Sequence, residues 1–525
     1  MILVRNLRLD IGQSEERLKA KAAREMHVPA WAIKSFKITK RSLDARKKND
    51  IHWLYSAAVE IDNEDKLLAK NKSKNLAKYE ELDYSVPRLS VNERPVVAGF
   101  GPGGMFAALV LSMAGLKPIV LERGADAETR KKKVDAFSSG GELDPECNVQ
   151  FGEGGAGTFS DGKLGTGIRD KRIRWILSVF HEHGAPESIL YDAKPHIGTD
   201  ILINVVQGIR ESIIKNGGEV RFNSKLTGLV IENNTLRAVK VTDESGEHEL
   251  PCSDLILAIG HSARDTFEML EKSGVPMEAK PFSMGARIEH KQKDINLAQY
   301  GEYSDGLPAA DYSLNVHLPD GTSAYTFCMC PGGEVIAAAS EPGGVCTNGM
   351  SNSRRDAENA NSALLVTLQP EDFPCDGPPG GMYWQRDIER AAFAVSGSYC
   401  APAQTVGDFL SHKRSDGAGA VKPSYRPDVH WCDLHDVLPE RITGVLENAL
   451  PELGKKLHGF YAPEAVLTAP ETRSSSPVRI LRDDARRSQI HGLYPCGEGA
   501  GYAGGITSAA VDGMKCAEAL IETLK

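Results

Sequence analysis

The sequence predicts an α/β fold with a β-rich insertion and a small α+β domain ahead of it. Three observations support this prediction. An apolar run at 96–98 enters a glycine turn, and a helical pattern and a second apolar run follow. Another short apolar run, 254–260, ends in glycine, and a further strand–turn–helix pattern closes the chain at 491–525. Short apolar runs of this kind are typical of buried parallel strands, so we expect these distant segments to meet in one layered domain.

The turn after residues 96–98 has the spacing G-x-G-x-x-G, at Gly99, Gly101 and Gly104. The first glycine permits a tight turn, and the second lets the backbone approach a pyrophosphate. The third lets the following helix pack closely against the strand. The pattern alone is weak evidence, because it recurs from Gly152 and from Gly499 without the flanking strands.

The context of this first turn makes it specific. The second apolar run ends in Glu122, followed by Arg123, where a carboxylate is placed to accept both ribose hydroxyls. The start of the intervening helix offers a partial positive charge and free N–H groups to a phosphate, and the positions expected to contact the cofactor there are Pro102, Gly103 and Met105. The unit therefore predicts an adenine dinucleotide site. An ordinary strand–loop–helix turn is the alternative, and it leaves the position of Glu122 unexplained.

Length and composition indicate a globular protein of several domains. The chain has 525 residues, of which 41% are hydrophobic and 25% charged, with ten cysteines. No apolar run approaches the roughly 18 residues that span a bilayer, and no targeting pattern is visible at the start, so we expect a cytoplasmic protein with reduced thiols and no membrane contact. The net charge is −9, yet residues 1–90 carry 19 basic and 13 acidic residues.

The patterns divide the chain into four parts. We predict a small α+β domain at 1–85, a linker at 83–94, the first part of the nucleotide-binding domain at 93–274, an inserted substrate or interface domain at 275–465 and the remaining nucleotide-binding part at 466–525. The first domain is predicted to be βαββ-like, with strands at 2–9, 33–39 and 53–61 and a helix capped by Ser14. Between 219 and 250 four short runs predict a β-meander.

The break in strand–helix alternation after Glu122 favours FAD over NAD. The order of phosphate turn, mid-chain strand ending in Gly260 and C-terminal turn and helix resembles the glutathione-reductase-type FAD fold, a Rossmann-type three-layer domain. This resemblance implies that Gly497 and Glu498 contact the ribityl or pyrophosphate region. It also implies that the flavin pyrimidine lies against the start of the last helix, at Gly504, Gly505 and Ile506.

A second glycine-rich segment, 151–166, has six glycines in sixteen residues. Free backbone N–H groups and short hydroxyls suit a loop that wraps the pyrophosphate and the flavin edge; a flexible surface loop is the alternative. The positions expected to contact the cofactor are Gly154, Gly157, Thr158, Ser160, Asp161, Lys163 and Leu164.

The chain as a whole resembles a bacterial family described as uncharacterised FAD-dependent dehydrogenases. The resemblance rests on phrases such as G-F-G-P-G-G-M-F-A-A, F-G-E-G-G-A-G-T-F-S-D-G-K-L, E-T-R-S-S-S-P-V-R-I and C-G-E-G-A-G-Y-A-G-G-I. It implies non-covalent FAD and a redox fold, and it implies no particular substrate.

Candidates for the chemistry are few, because the cofactor carries out most of it. His196, with Lys194, is a candidate acid/base or anion-binding residue, and a capping or core histidine is the alternative. Thr472 and Arg473 are candidates for the substrate side. Two further pairs complete the set: Cys328 with Cys330 as a redox pair or a buried strand pair, and Arg287 with Glu289 as an ion pair on one strand face. No metal site is predicted.

The function predicted is an FAD-dependent oxidoreductase acting on a small molecule, with NAD(P)H only as a transient reductant. Two alternatives stay open. One is an RNA-binding flavoprotein tethered by residues 1–85, which a basic patch alone supports weakly. The other is a non-catalytic FAD-binding scaffold. The oligomeric state is not predicted.

Overall fold

The computed structural model describes residues 1–71, 73–81, 83–90, 93–303 and 306–525, so residues 91 and 92 of the expected linker lie outside it. The N-terminal domain is an antiparallel sheet in the order β2-β3-β1-β4 with a helix packed on one face. The structure adds one short strand, the fourth, to the predicted βαββ-like unit. Its elements are β1 (Ile2–Asp10), α1 (Arg17–Met26), β2 (Ser35–Asp44), β3 (His52–Glu60), α2 (Glu64–Lys70) and β4 (Leu76–Lys78).

Helix α1 begins later than its capping signal suggests. Its N-cap is Glu16, which makes no side-chain capping bond. The Ser14 hydroxyl instead accepts the N–H of Glu16 at 3.3 Å, so it closes the turn that precedes the helix.

The N-terminal domain is fastened to the rest of the molecule through Arg41. Its Nε and Nη2 donate to the Asp192 carboxylate at 2.6 and 3.0 Å. Its backbone exchanges two further hydrogen bonds with Tyr191 and Ala193, at 2.7 and 2.8 Å. The domain is therefore docked on the body through both side-chain and backbone contacts.

The nucleotide-binding part contains a parallel sheet and a separate antiparallel meander. Its elements up to residue 274 are β5 (Val96–Ala98), α3 (Pro102–Met113), β6 (Ile119–Leu121), α4 (Ala127–Ser138), α5 (Arg172–Glu182), α6 (Thr199–Lys215), β7 (Glu219–Arg221), β8 (Lys225–Glu232), β9 (Thr235–Asp243), β10 (Gly246–Pro251), β11 (Leu255–Leu257) and α7 (Arg264–Lys272).

The inserted part is built on a larger, mostly antiparallel sheet. Its elements are β12 (Met277–Ala279), β13 (Phe282–Lys291), α8 (Gln292–Tyr300), β14 (Asn315–His317), β15 (Ser323–Cys330), β16 (Glu334–Ala337), β17 (Thr347–Met350), β18 (Asn359–Leu368), α9 (Gly380–Ser396), β19 (Ala401–Thr405), α10 (Val406–Phe409), β20 (Val429–Trp431), α11 (Glu440–Lys456) and β21 (Val466–Glu471). Three elements then close the chain: β22 (Val478–Ile480), β23 (Leu493–Pro495) and α12 (Ile506–Thr523).

The parallel sheet has the order β23-β11-β5-β6-β7 and confirms the predicted Rossmann-type architecture. All four strand pairings are parallel. Helices α3, α6 and α12 cover one face through one apolar cluster, and the β8–β10 meander covers the other face through a second cluster. The three layers explain why β5, β11 and β23 are short and wholly apolar, since both faces of each strand are buried.

The inserted part forms a seven-stranded sheet, β14-β15-β18-β13-β21-β19-β20. Helix α11 packs its apolar side against this sheet, and the two share the largest apolar cluster of the molecule. Strand β21 lies in the middle of this sheet, between β13 and β19. The sequence boundary at 465 therefore falls one strand too early.

Two local expectations differ from the structure. Residues 219–222 were expected in the meander, but β7 pairs with β6 at the edge of the parallel sheet, because the helix before it returns the chain to that edge. The break in strand–helix alternation expected after Glu122 is only partial, because the following stretch contains two helices, α4 and α5. In the described ranges, none of the helices combines the length and the apolar character needed to cross a bilayer.

Candidate functional site

One cavity lies at the carboxyl ends of the parallel strands, where α/β sheets place their ligands. The three segments that start near residues 96, 151 and 491 all contribute to its wall. The predicted cofactor positions that line it are Gly99, Gly101, Pro102, Gly103, Glu122, Arg123, Gly157, Ser160, Asp161, Lys163, Gly260, Gly497, Glu498, Gly504, Gly505 and Ile506. The fold therefore brings together, at one cavity, predicted positions that are up to about 400 residues apart in the sequence.

Five predicted positions lie outside the wall and support it from behind. Met105 and Leu164 are buried apolar side chains. The Thr158 hydroxyl donates to the carbonyl of Glu153 at 3.3 Å, inside its own loop. Gly154, with φ +82°, donates its N–H to the carbonyl of Phe100 and so joins the two glycine segments. The fifth position is Gly104.

The glycines of the first turn have separable roles. Gly99 has φ +97°, and a Cβ on Gly104 would lie 1.9 Å from the carbonyl oxygen of Gly99, so both are required by the backbone itself. Gly101 is different: an added Cβ would meet only the Cα of Gly155, at an ordinary 3.7 Å. The absence of a side chain at Gly101 therefore matters for what enters the cavity.

Glu122 is buried, with 4% of its surface exposed, and its carboxylate is largely engaged by the protein. Oε2 accepts the N–H of Phe100 at 2.8 Å, and Oε1 accepts those of Gly124 and Gly152, both at 2.9 Å. A carboxylate offers about four lone-pair directions. One direction is left for a ligand, so Glu122 can accept one ribose hydroxyl, and the expectation of two needs correction.

The cavity wall is a cradle of glycine backbone that fits an extended phosphate-containing ligand. At Gly165, Gly260, Gly497 and Gly504, no protein atom lies within 4 Å of an added Cβ. The N-termini of α3 and α12 both reach the same cavity. Each provides unpaired N–H groups and about half a positive charge, which suits a pyrophosphate at one helix and a polar ring edge at the other. The residues present therefore fit FAD.

Glu498 and His261 face each other in the cavity, with Oε1 4.0 Å from Nε2. Burial raises the pKa of Glu498 to about 7, against a partial opposing effect from Lys280. Burial lowers the pKa of His261 to about 3, and the positive charges of Arg473 and Arg264 add to this effect. At neutral pH the imidazole is uncharged, and its Nδ1 lies 3.0 Å from the hydroxyl of Ser262.

The raised pKa of Glu498 predicts a pH dependence of stability in the flavin-free protein. An acid whose pKa is raised on folding stabilises the fold below its unfolded pKa, and this contribution is lost as pH rises toward 7. We expect Glu498→Gln to match the wild type at pH 4.5 and to exceed it at pH 8, by less than about 3 kcal/mol because the side chain is 27% exposed. Urea unfolding at both pH values checks this, with Glu249→Gln at an exposed strand position as the control. Parallel pH profiles for wild type and Glu498→Gln would contradict the assignment.

Arg473 lines the cavity, whereas Thr472 is fully buried behind it. Both bind Glu389: the Thr472 hydroxyl donates at 2.6 Å, and Nε and Nη2 of Arg473 donate at 2.9 and 2.7 Å. The third guanidinium nitrogen donates to the hydroxyl of Ser340. Arg473 is therefore a fixed positive charge in the wall, and Thr472 helps to hold it.

The same carboxylate also binds Arg264, whose Nη1 and Nη2 donate to it at 2.8 Å. Burial alone would raise the pKa of Glu389, but the two guanidinium groups hold it well below its usual range. This buried charge cluster joins helices α7 and α9 to the strand end at 471, and so fixes the inserted part against the nucleotide-binding part.

His196 and Lys194 do not act together. Lys194 is exposed and donates to Asp311 at 2.7 Å. His196 is outside the cavity wall, with Nε2 3.8 Å from Asp161. Burial, followed by the charge of Arg355, lowers the pKa of His196 to about 4. The core-histidine alternative describes this residue better than an acid/base role.

Arg287 and Glu289 were expected to pair along one strand face, and this was wrong. Arg287 pairs with Glu471 on the neighbouring strand β21, through contacts of 2.9 and 2.6 Å. Glu289 instead accepts from Asn359 at 2.9 Å and from the hydroxyl of Ser424 at 2.5 Å. Partners across strands lie nearer than partners along one strand, and they are invisible in the local sequence.

Sequence reasoning missed the wall contributed by the insertion and by the segment after β11. The side chains whose place in the wall was not predicted are His261, Phe327, Cys328, Asn348 and Glu471; Cys328 was a redox candidate but was not assigned to this cavity. The glycine at the end of β11 was a usable signal for His261, which follows it. The other four are brought to the cavity by the insertion's sheet, and no spacing rule connects them with the phosphate turn.

Among the described residues, two clusters of side chains could hold a metal ion. On the insertion, His412, His435 and Glu447 offer ligand atoms within 4.8 Å of one another. His435 already bridges two carboxylates there, at 2.6 Å to each. The second cluster is Cys496, Asp512 and Cys516, where Arg482 occupies both oxygens of Asp512.

Comparisons with known proteins bear on the family and the cofactor. A family model described as "FAD-dependent protein, C-terminal domain-like" matches residues 281–474. A domain of unknown function, DUF8436, matches residues 1–60. A protein of Clostridium beijerinckii, named only as an uncharacterised protein, is 45% identical over 99% of this chain and 98% of its own length.

Solved structures show weaker likeness. The flavin-dependent brominase Bmp2 has a TM-score of 0.37 and 12% identity, covering 82% of this chain and 79% of its own. A geranylgeranyl bacteriochlorophyll reductase-like protein from Thermoplasma acidophilum has a TM-score of 0.38 and 13% identity, covering 82% and 78%. Likeness at this level says nothing about substrate.

Proposed function

This chain belongs to the family of FAD-dependent proteins that includes the Clostridium beijerinckii relative, and we propose that it is an oxidoreductase of the dehydrogenase or reductase type, acting on a small molecule. The observation that carries the proposal is the meeting of two helix N-termini and a glycine loop at one cavity. The insertion contributes polar side chains and the ring of Phe327 to the wall of the same cavity, which gives a substrate a place beside the cofactor.

Bound non-covalently, FAD supplies the two-electron acceptor for such a reaction. The protein's own contribution is electrostatic and positional. The N-terminus of α12, the fixed guanidinium of Arg473 and the ammonium of Lys163 surround the flavin end of the cavity with positive charge. Such groups stabilise the negative charge that two-electron reduction brings into the site.

Phe327 and Asn348 are the residues proposed to meet the substrate. Both line the cavity from the insertion, and Phe327 keeps 37% of its surface exposed. An exposed aromatic ring at a cavity edge provides apolar contact area without closing the entrance. The chain thus offers a flat apolar contact next to an amide.

The test is an anaerobic screen of metabolites, with NADH and NADPH included, for bleaching or recovery of the flavin absorbance. We expect a small-molecule donor or acceptor to change it in a saturable way. Phe327→Ala is expected to keep one FAD per chain and to weaken the substrate's apparent affinity about tenfold, equivalent to about 1.4 kcal/mol. If no donor or acceptor changes the flavin, the protein is a non-catalytic FAD-binding scaffold.

Nicotinamide is proposed only as a transient reductant. A nicotinamide dinucleotide domain would need its own parallel sheet. In the described part of the chain, one sheet of more than two strands is parallel throughout, the sheet β23-β11-β5-β6-β7, and its cavity is the one proposed for FAD. NADH or NADPH would therefore have to dock at the mouth of this same cavity.

The RNA-binding alternative gains no support from the structure. Several basic side chains of the N-terminal domain pair with acids, among them Lys34 with Asp62 and Arg46 with Asp44. Arg41 is used to dock the domain. We therefore propose no nucleic-acid partner, and we propose a cytoplasmic location from the ten free thiols.

A further inference from the structure

Strand β15 is irregular where it passes the cavity, at Phe327–Cys330. Its pairing with β18 shifts register between these two residues. Cys328 has φ +43°, a conformation that is uncommon for a residue with a Cβ and that clusters at functional sites. At this irregularity Cys328 is partly exposed and lines the cavity, while Cys330 is fully buried.

The two cysteines share one hydrogen-bonded and positively charged environment. The Cys330 thiol donates to the carbonyl of Cys328 at 3.3 Å, and Nη1 of Arg287 donates to the same carbonyl at 3.2 Å. Lys163 lines the cavity beside them. The pKa of the Cys328 thiol is lowered by the neighbouring Cys330 thiol and, against burial, by the charges of Lys163 and Arg287.

The chain geometry allows these two sulfurs to join. Residues two apart have Cα atoms at most about 7 Å apart, and a kinked backbone brings them closer. Disulfides span Cα separations of about 4.4–6.8 Å. The accessible thiol also has a lowered pKa, which is the property of an attacking sulfur, and the buried thiol is its only close partner in strand β15.

We propose that Cys328 and Cys330 form a dithiol–disulfide couple that exchanges two electrons with the flavin in this cavity. Cys328 enters as a thiolate and Cys330 as a thiol. The S–H bond of Cys330 breaks and one S–S bond forms. The two electrons and the proton pass to oxidised flavin, giving the singly protonated reduced anion. The reverse step opens the disulfide at the expense of reduced flavin.

A second thiol pair provides a contrast within the same molecule. Cys496 and Cys516 lie close together, but the pKa of Cys496 is raised, by the hydrogen bond to Cys516, by burial and by the nearby Asp512. Cys496 is fully buried although its residue contributes to the wall. This pair lacks an accessible thiolate, and we infer no redox role for it.

The test counts electrons in the air-oxidised, FAD-loaded protein. Anaerobic dithionite titration is expected to consume four electrons per flavin in the wild type. Cys328→Ser and Cys330→Ser are each expected to consume two. Cys516→Ser, from the second pair, and Cys375→Ser, an exposed thiol, are expected to consume four. Two electrons in the wild type would overturn the proposal, as would four in either serine variant of the first pair.

A second experiment, on flavin-free protein, identifies which two cysteines form the disulfide. Flavin-free protein is oxidised with diamide, its remaining thiols are blocked, and the reduced and relabelled cysteines are identified by mass spectrometry. We expect the second label on Cys328 and Cys330 together. A label on Cys328 with any other cysteine, or on neither, would overturn the pairing even if the titration gave four electrons.

Discussion

Replacing Gly101 by valine is expected to give a folded protein without flavin. Gly101 has φ −74°, which any residue adopts, and an added Cβ contacts only Gly155 at 3.7 Å. The valine methyl groups would instead occupy the space where the backbone approaches the pyrophosphate. Loss of one or two hydrogen bonds to a charged group, each about 1.5–3 kcal/mol, weakens FAD binding at least about tenfold.

The measurement is the FAD content of the purified variant together with its urea midpoint as flavin-free protein. Variants at two other glycines serve as controls. Gly104→Ala is expected to disrupt folding, because its Cβ would lie 1.9 Å from a backbone carbonyl oxygen. Gly417→Ala, at an exposed position with no atom within 4 Å of the added Cβ, is expected to keep both fold and flavin. A Gly101→Val protein that retains one FAD per chain would place the pyrophosphate elsewhere.

Replacing Glu389 by glutamine is expected to cause the largest loss of stability among single charge changes here. The carboxylate is 2% exposed and accepts from Arg264, Thr472 and Arg473. Neutralising it leaves two buried guanidinium groups with reduced compensation, and only Arg264 keeps a second acid, Glu341. Removing one partner of a buried ion pair costs about 3–5 kcal/mol.

The urea midpoint of flavin-free Glu389→Gln, compared with wild type, measures this loss. Glu278→Gln serves as the matched control, because Glu278 pairs with Arg479 at the surface, at 3.3 Å. The control is expected to shift stability by no more than about 1 kcal/mol. An equal, small shift in both variants would show that the cluster does not hold the two parts of the molecule together.

The parts of the fold that sequence could predict are those determined locally. The turn at Gly99–Gly104 and the acid at Glu122 follow from steric and hydrogen-bonding needs within one βαβ unit. Helix α12 follows from its apolar period and the glycines before it. These features predict where the phosphate end of the site lies, and residues from each of them line the cavity.

The parts that sequence could not predict depend on long-range pairing. Arg287 finds Glu471 only because β13 and β21 are neighbours, although 184 positions separate them. Cys328 reaches the cavity only because β15 shifts register against β18. The several contacts of Glu122 with backbone amides depend on how a second glycine segment folds over the first. No spacing pattern encodes these arrangements.

Hydrogen–deuterium exchange of the flavin-free protein, with and without FAD, tests most directly whether three distant segments hold one cofactor. We expect FAD to protect backbone amides in three peptides together, around residues 99–104, 155–165 and 497–506. Protection confined to the first peptide, with no change in the other two, would contradict the account, because it would describe a mononucleotide bound at the first turn alone.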